Sequence, residues 1–412
     1  MKGRRSTATI LWVLWLTYGS FYFCRTNISA ALPGIEAEFG FTKADLGWVL
    51  ASLKMAYALG QLINGQLAER YSARVLLAVG MFVSAGLNVL FGFGTAVYFW
   101  LFVWASNGYA QALGWTPVMR VASNWIPVEK RGTQIGILGT SYQVVAALTF
   151  VIAGLAAESY GWRAAFWIPA GLFALAGVHM LFLLEEKPEA PVNAAGAAVR
   201  AEPHSFRRNI KAVLTNPGLW CLALALGLLN ATRYGFLDWG LSHIKEVQAT
   251  GVGTAALKYA VLPLGGIAGA FFSGWLSDFW LRGRRIPVVC AQLAVLGLVT
   301  LIYNRVVHLG TWPVVVALVL AGFLIYGAQV LLVGTLPIDL ARPGTAAASV
   351  GFVNSMGYVG ASVSDVLTGK LVVSHGWEAA VIAWAVYAFV AALAAGLLWD
   401  ARPQSGRPEE SK

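Results

Sequence analysis

Apolar residues in this chain come in long unbroken runs rather than in amphipathic stripes. Runs of about 18–25 residues recur from end to end, each long enough to cross a hydrocarbon core of about 30 Å as a helix. They predict spans near 9–32, 45–66, 75–94, 98–120, 134–157 and 164–185, and a second set near 218–243, 254–277, 286–304, 313–336, 345–371 and 378–399. Between the sets, Glu185 to Asn216 is polar, with Pro188, Pro191 and the pair Arg207-Arg208, and reads as a connector. Ser205 to Leu214 carries a short amphipathic pattern that suits a helix lying on the membrane. The expected fold class is therefore an all-α membrane protein. Residues 1–185 form one six-helix bundle, 186–217 a cytoplasmic linker, 218–400 a second six-helix bundle and 401–412 a cytoplasmic tail.

Three cations break the apolar pattern. Arg25 lies deep in span 1 and Arg233 lies 208 residues later, deep in span 7. Lys54 sits in span 2. A charge at the bilayer centre costs about 2.5–3.5 kcal/mol on insertion scales, so such residues are functional candidates by default. The two arginines fit a repeat. Gly65-Gln-Leu-Ala-Glu69-Arg70 through Arg74 follows span 2, and Gly274-Trp-Leu-Ser-Asp278 through Arg284-Arg285 follows span 8. Gly161-Trp162 after span 5 is answered by Gly376-Trp377 after span 11. Two parallel copies of a six-helix unit place a substrate site at the midplane between them.

Composition agrees with this picture. The 412 residues are 58% hydrophobic and only 12% charged, where a soluble domain carries about 25% charged residues. Mean hydropathy is +0.67. The net charge of +10 is not read as nucleic-acid binding. Most of the lysines and arginines fall in the segments that are cytoplasmic when both termini are inside, as the positive-inside rule requires. The basic start Met1-Lys-Gly-Arg-Arg5 precedes a run too long for a signal peptide. Cys24, Cys221 and Cys290 lie in apolar runs without metal-ligand spacing. Five scattered histidines and the absence of a nucleophile motif argue against an enzyme, and no cofactor or metal is expected. Gly351 to Gly360 lacks the Gly-Lys-Ser/Thr ending of a phosphate loop and sits within a span.

The loop after span 2 and its partner after span 8 resemble the cytoplasmic signature of the major facilitator superfamily. There an acid (here Glu69 or Asp278) and basic residues (here Arg70, Arg74 and Arg284) clamp neighbouring helix ends. A narrower resemblance lies in Tyr22-Phe-Cys-Arg25-Thr-Asn27, Gln111 through Arg120, Arg233-Tyr-Gly-Phe-Leu-Asp-Trp239 and Gly322 through Tyr326. These are similar to the organophosphate:phosphate antiporters, a family of glycerol-3-phosphate and hexose-6-phosphate carriers with a related membrane sensor. The resemblance implies that Arg25 and Arg233 bind the phosphoryl group, and that Tyr18, Tyr22, Tyr326 and Tyr358 stand at the family's aromatic positions. It also implies an inner-membrane exchanger working as a monomer, with a small anion and inorganic phosphate as its partners.

The chemistry of the residues points the same way. Guanidinium is always charged and its planar fork fits phosphate oxygens. Tyr18, Tyr22, Arg25 and Ser29 follow one helical stripe, and Asn230 shares the face of Arg233. Lys54, Tyr57 and Gln61 make a polar face on span 2, with Lys54 expected as a third cation in the cavity. The family's lysine is replaced here by Gln61, its span 5 histidine by Tyr142, and an acidic position in span 8 by Pro263. The phosphate grip is kept while the parts that sense the organic moiety or a proton differ, so a phosphonate or sulfonate fits the same cage. Two alternatives stay open. A proton-coupled organic-anion symporter would use Asp238, Asp365 or Glu36, and a ligand sensor would use the same cavity.

Overall fold

The computed structural model describes residues 6–127, 130–187, 211–281, 284–342 and 345–399, and every regular element among them is helical. Among the described residues nine segments are long and apolar enough to cross a membrane. Two more polar crossings are Lys43–Arg70 and the pair Val97–Gln111 and Trp115–Trp125. The longest segment, Ala346–Gly396, is two crossings, because Gly376 takes φ 80° and turns the chain back. Twelve crossings result. The linker core and the tail fall outside the described residues, as do the side chain of Glu69 and most of the amphipathic stretch before Leu214.

The boundaries differ from the sequence reading where helices break. Span 1 extends to Phe39 but is not continuous. Thr7–Ser20 is α-helical, Phe21–Cys24 is a tight 3-10 turn, and helix resumes at Ile28. A break inside a membrane frees backbone carbonyls that water does not reach, so other groups must satisfy them. Here the Cys24 carbonyl accepts from Asn107 Nδ2 at 2.8 Å, a side chain of span 4. Asn27 Nδ2 donates to Asn88 Oδ1 and to the Ala165 carbonyl, both at 3.0 Å. In the second half, Gly235–Trp239 forms a π-helical turn directly after Arg233. Tyr259 donates its hydroxyl to the Phe236 carbonyl within it, and Thr232 Oγ1 donates to the Trp384 carbonyl at 2.8 Å. Irregular backbone therefore falls at the level of the arginine in both halves.

The halves meet along spans 2 and 11 and along spans 5 and 8. A Cβ on Gly47 would lie 2.7 Å from the Asp365 carbonyl, and one on Gly369 would run into that of Lys43, so both glycines permit backbone-to-backbone approach. Gly154 of span 5 packs on the methyl group of Ala256 of span 8. Lys43 of span 2 pairs with Glu246 of span 7 at 2.8 Å. Ser362 Oγ donates to the Ala51 carbonyl at 3.3 Å. These contacts lie away from the linker, at what is here called the far end. At the linker end, Trp115–Trp125 packs against spans 1, 2 and 3 of its own half, and Leu336–Asp339 against spans 7 and 11 of its own.

Candidate functional site

The 3-10 turn places Arg25 at the interface of the halves, and a buried polar network holds it there. Arg25 Nε donates to Gln111 Oε1 at 3.1 Å. Gln111 Nε2 donates in turn to Ser84 Oγ at 2.8 Å, and Ser84 Oγ donates to Asn107 Oδ1 at 2.6 Å. Arg25 is 5% exposed, yet Nη1 and Nη2 have no hydrogen-bond partner. Its carbon stands 4.5 Å from the ring centre of Tyr57 and 4.9 Å from that of Tyr22. Arg233 mirrors this from the other half. It is buried, its Nε has no partner, and it lies 4.8 Å from the Tyr234 ring and 5.0 Å from the Tyr326 ring. Among the described residues neither arginine makes an ion pair with a carboxylate. Aromatic faces compensate part of each charge, and Nη1 and Nη2 of Arg25 and Nε of Arg233 keep unused donors.

The predicted tyrosines assemble around this pair. Tyr22 stacks on Tyr142 at 5.2 Å, and Tyr142 meets Tyr326 across the halves at 5.9 Å. Tyr57 contacts Tyr358 at 4.5 Å, also across the halves. Tyr18 touches Tyr22 and Tyr142, and packs on Trp115 at 4.6 Å. Asn230 Oδ1 and Gln61 Nε2 are buried atoms without partners. The helical stripe breaks at the 3-10 turn, so Ser29 does not join the cavity group and donates to the Thr26 carbonyl at 2.8 Å. Sequence reasoning missed Gln111, Trp115 and Tyr234 as site residues. The signals were a polar residue in an apolar span and an aromatic directly after an intramembrane arginine.

Lys54 is not a spare third cation. Its ammonium donates to Asp238 Oδ2 at 2.5 Å and to Asp365 Oδ2, and it faces the Tyr234 ring at 4.6 Å. Two carboxyl groups of the second half therefore hold a lysine of the first. Asp238, the nearest carboxylate to Arg233 in sequence, is carried to Lys54 because the π turn changes the face it occupies. Glu36 pairs with Lys43 at 3.1 Å near the far end and belongs to the closure there.

The expected clamp of the first loop turns on Glu69, whose side chain lies outside the described residues. Arg70, Asp278 and Arg284 are exposed. Among the described residues an acid that holds the first loop is Glu186, which accepts from Ser72 Oγ and, at 3.2 Å, from the Arg74 backbone N–H. Arg74 donates its guanidinium to the Leu181 carbonyl. In the second half Arg285 pairs with Asp339. A carboxylate at the Glu186 position is not within the loop motif, which is why the motif did not reveal it.

With this geometry in place, the comparisons with known proteins bear on it. The family profile described as Major Facilitator Superfamily matches residues 14–365. The chain is 27% identical to a probable hexose phosphate transport protein of Chlamydia trachomatis serovar D, over 97% of this chain and 92% of that protein. It is likewise 27% identical to the glycerol-3-phosphate transporter of Bacillus subtilis, over 94% of this chain and 91% of that one. Among solved structures, a bacterial homolog to the human lysosomal transporter Spinster, in an inward-facing and unoccupied conformation, superposes with a TM-score of 0.78. It covers 98% of this chain and 99% of its own at 16% identity, a likeness of fold.

Proposed function

Because the chain belongs to the major facilitator superfamily, a family of multi-pass membrane transporters, we propose that it exchanges a small organophosphate or phosphonate for inorganic phosphate by alternating access. The observation that carries this reading is the pair Arg25 and Arg233, one from each half, both buried on aromatic faces and neither held by a carboxylate. A phosphoryl dianion between them supplies the missing counter-charge and draws the halves together. The empty carrier keeps two unneutralised cations facing one another and resists that closure. Such a coupling favours exchange over net flux, because the return step also needs an anion. The likeness to proteins named as hexose phosphate and glycerol-3-phosphate transporters supports a phosphate ester as the organic partner. The resemblance sets Tyr142, Gln61 and Pro263 at positions where the family carries a histidine, a lysine and an acid, so the identity of the ester is not carried over from those two.

In this reading the chain lies in the plasma membrane with both termini in the cytoplasm and works as a monomer. The linker end then faces the cytoplasm, and the far-end contacts between the halves face outside. The test is counterflow in proteoliposomes. Internal phosphate is expected to drive uptake of labelled phosphate and of the matching organophosphate, without ATP. Uptake that needs a proton gradient and ignores internal phosphate overturns the exchange reading in favour of symport. Binding without any counterflow overturns it in favour of a sensor.

A further inference from the structure

Between spans 9 and 12, at the far end of the second half, lies an open cavity of about 370 Å³ that shares no residue with the arginine cage. Its walls are Leu301, Ile302, Asn304 and Arg305 of span 9 with Glu378 and Ile382 of span 12. The two helices run in opposite directions, so their polar linings come together at one end. Asn304 and Arg305 close span 9, and Glu378 opens span 12. One turn deeper stand Leu301 and Ile382, each four residues from its charged neighbour and on the same face. Leu298 and Val386, both exposed, carry that apolar face further toward the membrane interior. Trp312, exposed at the start of span 10, marks the level of the charges as the membrane boundary.

Arg305 and Glu378 bring opposite charges to one cavity, yet among the described residues they form no ion pair with each other and neither side chain has another polar partner. We propose that the cavity binds a phospholipid whose head group joins a phosphate to a primary ammonium, the phosphatidylethanolamine class. The phosphate lies on Arg305 and the ammonium on Glu378. The planar guanidinium fork fits phosphate oxygens. An ionised carboxylate only accepts hydrogen bonds and an ammonium only donates them, so Glu378 needs the second half of the head group. The lining changes from charged to apolar in the order in which such a lipid changes from head to chain, and the acyl chains follow Leu301, Ile382 and Val386 into the bilayer. Pockets between crossing helices at head-group level recognise lipids in this way.

The pairing of charges sets the preference among lipids. A phosphatidylglycerol head would satisfy Arg305 but bring no cation to Glu378, and its phosphate would face that carboxylate. A choline head brings a cation without an N–H to donate. Free phosphate has neither the ammonium nor the chains. A second crevice, between spans 1 and 5 at the linker end, shows the contrast. It measures about 310 Å³ and is walled by Trp12, Trp15, Gln134 and aliphatic residues with no charged side chain, so it selects no head group. Nothing in the site between spans 9 and 12 depends on phosphate exchange.

Native mass spectrometry of the delipidated full chain in detergent, titrated with phospholipids of identical acyl chains, tests the assignment. The parent is expected to hold phosphatidylethanolamine at least about fivefold more tightly than phosphatidylglycerol, the upper end for one exposed charge pair. Arg305→Gln should weaken both lipids. Glu378→Gln should weaken phosphatidylethanolamine alone, so that the two lipids bind equally. Both side chains are exposed, so the empty variants should melt with the parent. A series on the parent needs no variant at all: affinity should fall stepwise as the head-group nitrogen is methylated once, twice and three times, because each methyl group removes one donor. A parent that binds all these lipids equally has Arg305 and Glu378 as ordinary boundary anchors, and the site is overturned. A preference that survives either substitution also overturns it, by placing the lipid elsewhere on the protein.

Discussion

Replacing Arg25 by glutamine separates the energetics of the empty cavity from those of the occupied one. Burying the guanidinium costs several kcal/mol even after relaxation. Against this stand two cation–π contacts, to Tyr57 and Tyr22, worth about 1–2 kcal/mol each when desolvated. One hydrogen bond to Gln111 adds about 1.5–3 kcal/mol because its donor is charged. The opposing terms nearly cancel, so the empty variant should melt within about 2 kcal/mol of the parent. The occupied form is different. Truncating one partner of a buried charge pair costs about 2–5 kcal/mol, which is about 30- to 4,000-fold in Kd. In a thermal-shift assay on purified protein, a ligand at 100 times its Kd stabilises the parent by about 2.7 kcal/mol, and Arg25→Gln should lose that shift while its unliganded melting point scarcely moves. A variant that keeps the phosphate-induced shift refutes the assignment of Arg25 to the anion. One that unfolds without ligand shows instead that the arginine is structural.

Three other perturbations follow from the same geometry. Arg233→Lys keeps the charge but loses the planar fork, so phosphate-dependent stabilisation should fall nearly as far as with removal of the side chain; a near-normal shift would mean the fork is not used. Lys54→Ala leaves Asp238 and Asp365 buried without their ammonium, which should lower stability by about 3–5 kcal/mol while phosphate counterflow persists at altered rate, read by melting and by proteoliposome exchange. Gly47→Val drives a side chain into the Asp365 carbonyl that a Cβ alone already approaches to 2.7 Å. It should force the far end open, seen as labelling of a cysteine placed there by a membrane-impermeant maleimide.

The hydrocarbon solvent made the fold legible, because a crossing helix needs a long apolar run and twelve runs in two matching sets leave little choice of architecture. The arginines were legible for the converse reason: ions are rare at that depth. The breaks were not. Nothing in Phe21–Cys24 is a helix breaker; the 3-10 turn exists because Asn107 and Asn88 donate to the Cys24 carbonyl that it frees, and those residues lie on spans 4 and 3. Neutral polar residues disturb a hydropathy pattern too little to announce themselves. Lys54 was legible as an anomaly but its meaning was not, since its partners lie 184 and 311 residues away. Helical arithmetic put Asp238 on the arginine's helix about 140° round from Arg233, and only the π turn explains why it serves the lysine.

That separation of charges yields one further consequence for the site. Both arginines are held by groups that do not compete with an anion: tyrosine faces and, for Arg25, the neutral oxygen of Gln111 at 3.1 Å. The carboxylates at this level are kept on Lys54 instead. If the free donors of Arg25 are what the substrate uses, then Gln111→Glu should disable the site while every arginine is retained. The new carboxylate would take the guanidinium as an internal ion pair, and a phosphoryl dianion arriving there would face a like charge, at a cost of several kcal/mol. The expected result is a loss of phosphate affinity of at least about 100-fold, together with a melting point for the empty protein equal to or above that of the parent, because a buried cation has gained its counter-ion. This combination distinguishes occupation of the site from damage to it. Unchanged phosphate affinity in Gln111→Glu would mean that the anion binds away from Arg25, and the two-arginine cage would have to be given up.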